Sequence, residues 1–266
     1  MARFSQILSF LILSAVTSTY ATPTPEAEPA EAAAEYVELA ARAPAQVITK
    51  CTVANTVALT FDDGPYQYMR EVVRQIEAAG GKTTFFVNGK NWGCIYDNDN
   101  ASALKYAYDR GHQIASHTWS HKDLTTLTWD QIHHEMWLTE QAITRITGGV
   151  PAWMRPPYGN HNSLVREASG VRNQTIALWD FDSGDSTGSS VSAQKTKYTN
   201  IANSRPSTIL SLQHEVHRSS VYEVLPHAIS VLRAKGYRFV TLADCLGRNK
   251  YQRTGAPEAR NANWKC

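Results

Sequence analysis

Past its first 21 residues this 266-residue chain has no apolar run long enough to cross a bilayer, which takes about 20 apolar residues. The mature chain is therefore expected to be soluble, with no membrane partner. Cysteine is scarce. The four present, Cys51, Cys94, Cys245 and Cys266, include no Cys-x-x-Cys pair, which argues against a thiolate metal site or a redox centre. No dense Lys/Arg run is present, so no nucleic-acid partner is expected. No fixed-period repeat shows, and no second domain fits the pattern.

What is present begins with an export-type leader. Arg3 gives a positive start, Ile7 to Val16 an apolar stretch, and Thr19-Tyr20-Ala21 a small-residue cleavage site, so residues 1–21 are expected to be a signal peptide and the protein secreted, to the medium or the cell wall. Residues 22–45 are dominated by Ala, Pro and Glu. Such a composition buries too little surface to offset chain ordering, so a disordered leader or pro-segment is expected, with a short exposed helix over 30–41 as the alternative. Leaving out residues 1–42 leaves 24 Lys+Arg against 19 Asp+Glu, a net charge of +5. The expected domain, residues 46–266, is long enough for one well-buried core. An even number of cysteines in an exported chain predicts two disulfides. Of the three connectivities, Cys51–Cys245 with Cys94–Cys266 is favoured, because the first pair brackets the first and last strands. Asn100-Ala101-Ser102 and Asn173-Gln174-Thr175 have the form of glycosylation acceptors.

From Val53 onward short apolar runs alternate with amphipathic stretches. Strands are predicted at Val57–Phe61, Thr83–Val87, Gln113–Ala115, Ala152–Met154, Thr175–Trp179, Thr208–Leu212 and Arg238–Leu242. Helices are predicted at about 67–79, 101–109, 128–147, 163–169, 191–203 and 221–235. Glycine stops follow several of them (Gly80, Gly111, Gly148, Gly236), and Thr128 is placed to cap the longest, with Asp130 in its first turn. Strands alternating with helices indicate a parallel α/β architecture, with barrel and open sheet both open from pattern alone. The tail from Gly247 to Cys266 reads as polar and irregular, pinned by its last cysteine.

Four clusters follow strand-like runs: Thr60-Phe61-Asp62-Asp63-Gly64-Pro65, Ser116-His117-Thr118-Trp119-Ser120-His121, Arg155-Pro156-Pro157-Tyr158-Gly159, and Leu212-Gln213-His214. Reactive groups at the carboxyl ends of parallel strands converge on one mouth. Adjacent carboxylates repel unless something cationic neutralises one, and Gly64-Pro65 forces a turn that fixes both. Histidines four apart can chelate one ion. With one carboxylate they make a His₂-Asp site with open positions, the pattern of catalytic zinc. A proline-stiffened loop can hold the Arg155 guanidinium against a carboxylate, and His214 offers general acid chemistry. Singly each cluster has a plainer reading as a turn, a cap or a structural histidine; together they point to a metal-dependent hydrolase. His133 and His134 read as ordinary helix residues, His112, His161 and His227 have no partner pattern, and His217 reads as a rim residue. Trp92, Trp119 and Trp153 can stack on sugar rings or pack the core.

Over roughly Val53 to Leu246 these clusters resemble the polysaccharide deacetylase family, also called carbohydrate esterase family 4 or the NodB homology domain. The resemblance implies a single-domain α/β fold, a distorted (β/α)7-type barrel. It implies that Asp63, His117 and His121 bind a divalent metal, most often Zn2+, with Co2+ the alternative. It also implies that Asp62 is the catalytic base, that Arg155 orients it, and that His214 is the acid. The Tyr158 backbone N–H would hold the oxyanion and Leu212 would line the acetyl pocket. Asp182, within Asp180-Phe181-Asp182-Ser183-Gly184-Asp185, would pair with His214, with Asp180 or Asp185 as alternatives. Where the family often has Trp after the last Asp, this chain has Ser186, which leaves one wall of the acetyl pocket to Trp179.

The implied activity is removal of N-acetyl groups from chitin or chito-oligosaccharides by a secreted, disulfide-bonded monomer. Acetylxylan esterase and peptidoglycan deacetylase use the same machinery. A reading of a different class, a non-catalytic carbohydrate-binding protein, requires a lost catalytic group, and none of the main set is missing.

Overall fold

The computed structural model describes residues 43–266; the expected signal peptide and most of the 22–45 leader lie outside them. The leader's last residues are not free. Ala45 is buried and its N–H donates to Arg166 O at 2.8 Å, so the packed unit starts slightly earlier than composition suggests.

β2 (Thr56–Asp62) is the spine, buried at all seven positions. A strand covered on both faces sends alternate side chains to two cores. Val57, Leu59 and Phe61 pack in the layer under the helices, with Val72, Val73 and Ile76 of α1 (Met69–Ala78). Ala58 belongs to the inner cluster, with Phe86, Ala115, Trp153, Ala177 and Leu210. Each fully buried aliphatic side chain contributes about 1.5–3 kcal/mol.

Eight strands are ordered β1-β7-β6-β4-β3-β2-β9-β8, with β10 (Arg238–Phe239) also on β2. They comprise β1 (Val47–Ile48), β3 (Thr84–Val87), β4 (Gln113–Ser116), β6 (Trp153–Met154), β7 (Thr175–Ala177), β8 (Phe181–Asp182) and β9 (Thr208–His214) beside β2, and every pairing is parallel. Between β7 and β8 lie only residues 178–180. Three residues reach about 11 Å at most, whereas the six strand steps between β7 and β8 measure about 29 Å along a flat sheet. The sheet must therefore roll up. Leu178 N–H donates to Ile48 O at 2.7 Å on one side of the gap, and Asp180 N–H to Leu210 O at 3.1 Å on the other. The pattern's open choice thus resolves to the distorted barrel.

The remaining helices, α2 (Asn98–Asp109), α3 (Trp129–Thr147), α4 (Ser163–Val171), α5 (Val191–Ser204) and α6 (Leu225–Ala234), follow the predicted spans closely. Thr128 and Gln131 form a reciprocal capping box on α3, and Gly148 ends it at φ 82°, the left-handed conformation glycine adopts freely. Ahead of α6 a π turn spans Ser220–Val224, just before Pro226, which has no N–H for the helical ladder. The predicted strand at Arg238–Leu242 stops at Phe239, because Thr241 caps a short helix, α7 (Leu242–Cys245). This helix plugs the amino-terminal end of the barrel: Leu242 N–H donates to Thr84 Oγ1 at 2.9 Å and Ala243 N–H to Gln113 Oε1 at 2.9 Å. The tail is more ordered than its composition suggested, since β11 (Tyr251–Thr254) pairs antiparallel with β5 (Gly149–Pro151). Cys51 is bonded to Cys245 and Cys94 to Cys266, the favoured connectivity. Among the described residues no helix is long and apolar enough to cross a membrane.

Candidate active site

Because the strands run parallel, the residues just past β2, β3, β4, β6 and β9 share one mouth. The chain there is strained: Asp63 (φ 77°), Thr118 (φ 69°), His121 (φ 56°) and Tyr158 (φ 61°) all sit in the left-handed region, four of seven such non-glycine residues among those described. Positions of this kind cost on the order of 1 kcal/mol or more and persist where surrounding bonds over-determine them.

Asp63, His117 and His121 each offer a ligand atom, all within 4.8 Å of one another. His121 Nε2 is 3.3 Å and His117 Nε2 3.6 Å from Asp63 Oδ1, an oxygen that is buried without a hydrogen-bond partner. His117 Nδ1 lies 2.7 Å from Arg155 O and donates to it, which leaves Nε2 bearing the lone pair toward the cluster. Burial above all holds the His117 ring down to about 3, despite the nearby Asp63 carboxylate. Its approach to the carboxylates is therefore not an ion pair. A neutral imidazole, an unpartnered carboxylate oxygen and a second imidazole fit a divalent cation of zinc type.

Beside the cluster lies Asp62, only 2 % exposed. Burial raises its carboxyl, against the pull of Arg155 and His214. Arg155 is fully buried beside it. Its Nη1 donates to Asp62 Oδ1 at 2.7 Å and to Thr60 Oγ1 at 2.8 Å, its Nε to Ala177 O at 3.0 Å, and its Nη2 to Leu178 O at 2.8 Å. The guanidinium also stacks 4.1 Å from the Phe86 ring centroid. One side chain thus ties the β2 end to the barrel's closing segment, and Asp62 Oδ2 is left 3.7 Å from His117 Nε2.

Opposite Asp62 in register stands His214. Its partner is Asp185, not Asp182, a correction to the sequence expectation. His214 Nδ1 is 2.8 Å from Asp185 Oδ1, and the His214 backbone N–H and the Ser220 hydroxyl donate to Asp185 Oδ2 at 2.8 and 2.7 Å. Asp182 is held away. It lies in β8, beside Leu212, and its Oδ1 accepts from Gly184 N–H at 2.7 Å, closing a local turn. Only three residues further on does the chain bring a carboxylate round to His214. Burial opposes charge on His214, but the Asp185 hydrogen bond and charge, with Asp62 and Asp63 beyond, win and push it up to about 9. Burial likewise opposes charge on Asp185, and the same pair holds its carboxyl below the usual range.

Tyr158 is 65 % exposed, with its ring edge-on to His121 at 4.8 Å. Leu212 is buried in β9, and Trp179 sits over Arg155 at 5.5 Å. Trp153 is core, Trp119 half-buried, and Trp92 exposed, with His217 between it and His214. Three buried polar residues at the mouth were missed. Glu135 of α3 accepts from Ser120 N–H and Oγ–H at 2.7 and 2.6 Å, clasping the histidine loop. Asn88 bridges that loop to the Asp63 turn. Glu215 is fully buried, both oxygens unpartnered, and burial, then Asp63, raise its carboxyl well above the carboxylate range. It lies so close to Gly64 that a Cβ there would meet Oε1 at 1.6 Å.

A parallel barrel with a carboxylate–histidine–histidine cluster at its mouth, flanked by a buried carboxylate and a charged histidine, is the arrangement of a hydrolase. The sequence model of the polysaccharide deacetylase family matches residues 49–173. Among curated relatives, a chitin deacetylase of Pestalotiopsis sp. is 42 % identical over 207 residues, 76 % of this chain and 67 % of that one. A probable peptidoglycan-N-acetylglucosamine deacetylase of Arthroderma benhamiae is 36 % identical over 76 % of this chain, which spans 46 % of that relative's length. Among solved structures, the chitin deacetylase from Colletotrichum lindemuthianum superposes with a TM-score of 0.74 at 31 % identity, covering 79 % of this chain and 96 % of that one. The chain belongs to the polysaccharide deacetylase family.

Proposed function

We propose that this protein is a secreted, metal-dependent deacetylase of N-acetylglucosamine polymers, with chitin or chito-oligosaccharides as substrate. One observation carries the reading: the Asp63–His117–His121 cluster shares one strand-end mouth with a carboxylate held by Arg155 and a histidine held charged by Asp185. The relatives named chitin deacetylases and the 31 % identical solved structure support the substrate class. The two disulfides and the export-type leader sequence support secretion.

Asp63, His117 and His121 would hold the ion, Zn2+ or Co2+, which when bound polarises the acetyl carbonyl and lowers the pKa of water. Asp62 takes a proton from the attacking water through Oδ2, while Arg155 fixes Oδ1 and so the direction of that lone pair. His214 hydrogen-bonds Asp185 through Nδ1, so its Nε2 proton is the one available to the departing amine nitrogen. An amide nitrogen is a poor leaving group, and a histidine still charged near neutral pH supplies the proton it needs. Tyr158, at its left-handed backbone position, is proposed to present its N–H to the developing oxyanion. Leu212 and Trp179 are proposed as walls for the acetyl methyl group. The products are acetate and a free glucosamine unit.

Acetate release from chito-oligosaccharides and from acetylxylan, each with and without chelator, tests this. Chelator-sensitive release from the amide substrate is expected; release from the ester alone, or none from either, overturns it. An Asp62→Asn variant as active as the parent would point to chemistry elsewhere.

A further inference from the structure

Asn88 comes directly after β3, between the strand end that carries Asp63 and the one that carries His117. It is 1 % exposed. Its backbone N–H donates to Gly64 O at 2.7 Å, the residue next to Asp63. Its Nδ2 donates to His117 O at 2.5 Å and to Thr118 O at 3.0 Å, and its Oδ1 accepts from Asn91 Nδ2 at 3.2 Å. The amide's orientation is forced, since a flip would set its oxygen against two carbonyls. One buried residue therefore ties the carboxylate turn to the histidine loop.

Both segments need holding. Asp63, Thr118 and His121 are non-glycine residues at φ 77°, 69° and 56°, and each would relax if its neighbours let it. Gly89 and Lys90 N–H groups reach Thr118 O at 3.3 Å and Trp119 O at 2.7 Å, so the far part of the loop stays attached without help. The bond to His117 O comes from the Asn88 side chain.

We propose that Asn88 is a positioning residue for the Asp63–His117–His121 cluster, fixing the distance between carboxylate and imidazoles before a cation arrives and so setting cation affinity. This rests on the metal-site reading above. Asn88 acts through backbone carbonyls and hydrogen-bonds none of the three ligand side chains. Removing groups that orient metal ligands costs about 10- to 100-fold in affinity, and that is the range expected here.

The test measures Zn2+ and Co2+ dissociation constants by chelator competition on the whole protein, with the Co2+ absorption spectrum and the melting temperature of the metal-free form as companions. Asn88→Asp keeps the shape but turns the donor into an acceptor facing two carbonyls. Its dissociation constant should rise by about 10- to 100-fold, with an altered Co2+ spectrum. Asn91→Ala, which removes only the bond to Asn88 Oδ1, should show a smaller rise and should fold in any case. Rescue is expected in Asn88→Ser to the extent that its shorter hydroxyl reaches His117 O. Affinity within twofold of the parent in Asn88→Asp, or in Asn91→Ala should the first variant not fold, overturns the proposal. So does a lower melting temperature with unchanged affinity and spectrum, which marks a purely structural role. A parent that takes up neither ion overturns the metal reading itself, and this inference with it.

Discussion

Two buried histidines stand at opposite ends of the parallel strands, and they are tuned in opposite directions. His112, just before β4, is 1 % exposed and accepts the Thr83 N–H on Nδ1 at 3.1 Å. Burial above all, helped by Lys82 and opposed by Glu77, holds it down to about 4. His214, at the end of β9, is buried almost as deeply, yet a directly bonded carboxylate raises it to about 9. Burial alone disfavours charge in both rings. What differs is the partner: Asp185 hydrogen-bonds His214 at 2.8 Å, whereas the nearest Glu77 oxygen, Oε1, is 3.6 Å from His112 and already serves Lys82, while Oε2 serves Arg110. The amino-terminal end keeps its histidine neutral. The carboxyl-terminal end keeps a charged histidine close to a buried carboxylate oxygen that has no hydrogen-bond partner. Across one small barrel, environment rather than residue type separates structural from chemical roles.

That contrast can be broken from either end. The largest effect is expected from Asp62→Asn, which removes the proposed base while keeping its shape. Deacetylation measured as kcat should fall by about 10²–10⁴-fold with the melting temperature little changed. At the opposite end, replacing both Cys51 and Cys245 with serine frees the α7 plug; urea unfolding should show a loss of about 2–5 kcal/mol, with kcat/KM near the parent's where the variant is folded. Asp185→Asn should lower kcat on N-acetyl substrates by about 10²-fold and spare an acetyl ester more. It should also move the alkaline limb of the rate profile down from about 9 toward the ordinary histidine value of 6.5. An unmoved limb would mean that another group supplies the acid. The smallest effect on rate is expected from His112→Gln. It should cost about 1–3 kcal/mol of stability and leave the pH profile as it was.

The two rings also predict opposite pH dependences of stability. His214 binds its proton more tightly folded than unfolded, so its contribution is complete below pH 6.5 and is lost as pH rises through about 9. His112 binds its proton less tightly when folded, so its contribution is complete above pH 6.5 and is lost as pH falls toward about 4. Denaturant midpoints of the two variants against pH would separate the effects: His214→Gln should flatten the alkaline side and His112→Gln the acid side.

Much of this was readable along the chain because it depends on near neighbours. The cap at Thr128, the glycine after α3 and the apolar run of β2 are local chemistry, and each of the six predicted helices was found within a few residues, the short α7 alone being missed among the α-helices. The Asp62-Asp63 and His117…His121 groups were readable because each falls where an apolar run ends, and parallel strands must end together. The Asp182 expectation failed for a related reason. Asp182 lies in the two-residue β8, a strand the pattern did not predict, and which carboxylate reaches His214 depends on the Gly184 turn that follows, which spacing does not fix. Asn88 and Glu135 gave no usable sign, because a lone Asn after a strand or a lone Glu in a helix gains meaning only from what lies across from it.

By itself, the sequence determined the order of strands and helices, the gathering of acidic and imidazole groups at strand ends, and the cysteines available for pairing. These follow from side-chain periodicity and local backbone preference, which act over a few residues. Only the tertiary structure decided that the sheet rolls into a barrel, that Asp185 charges His214, and that Arg155 crosses the interior to hold Asp62. Those outcomes turn on which distant groups share a low-dielectric space, where burial and pairing between them set each proton's place.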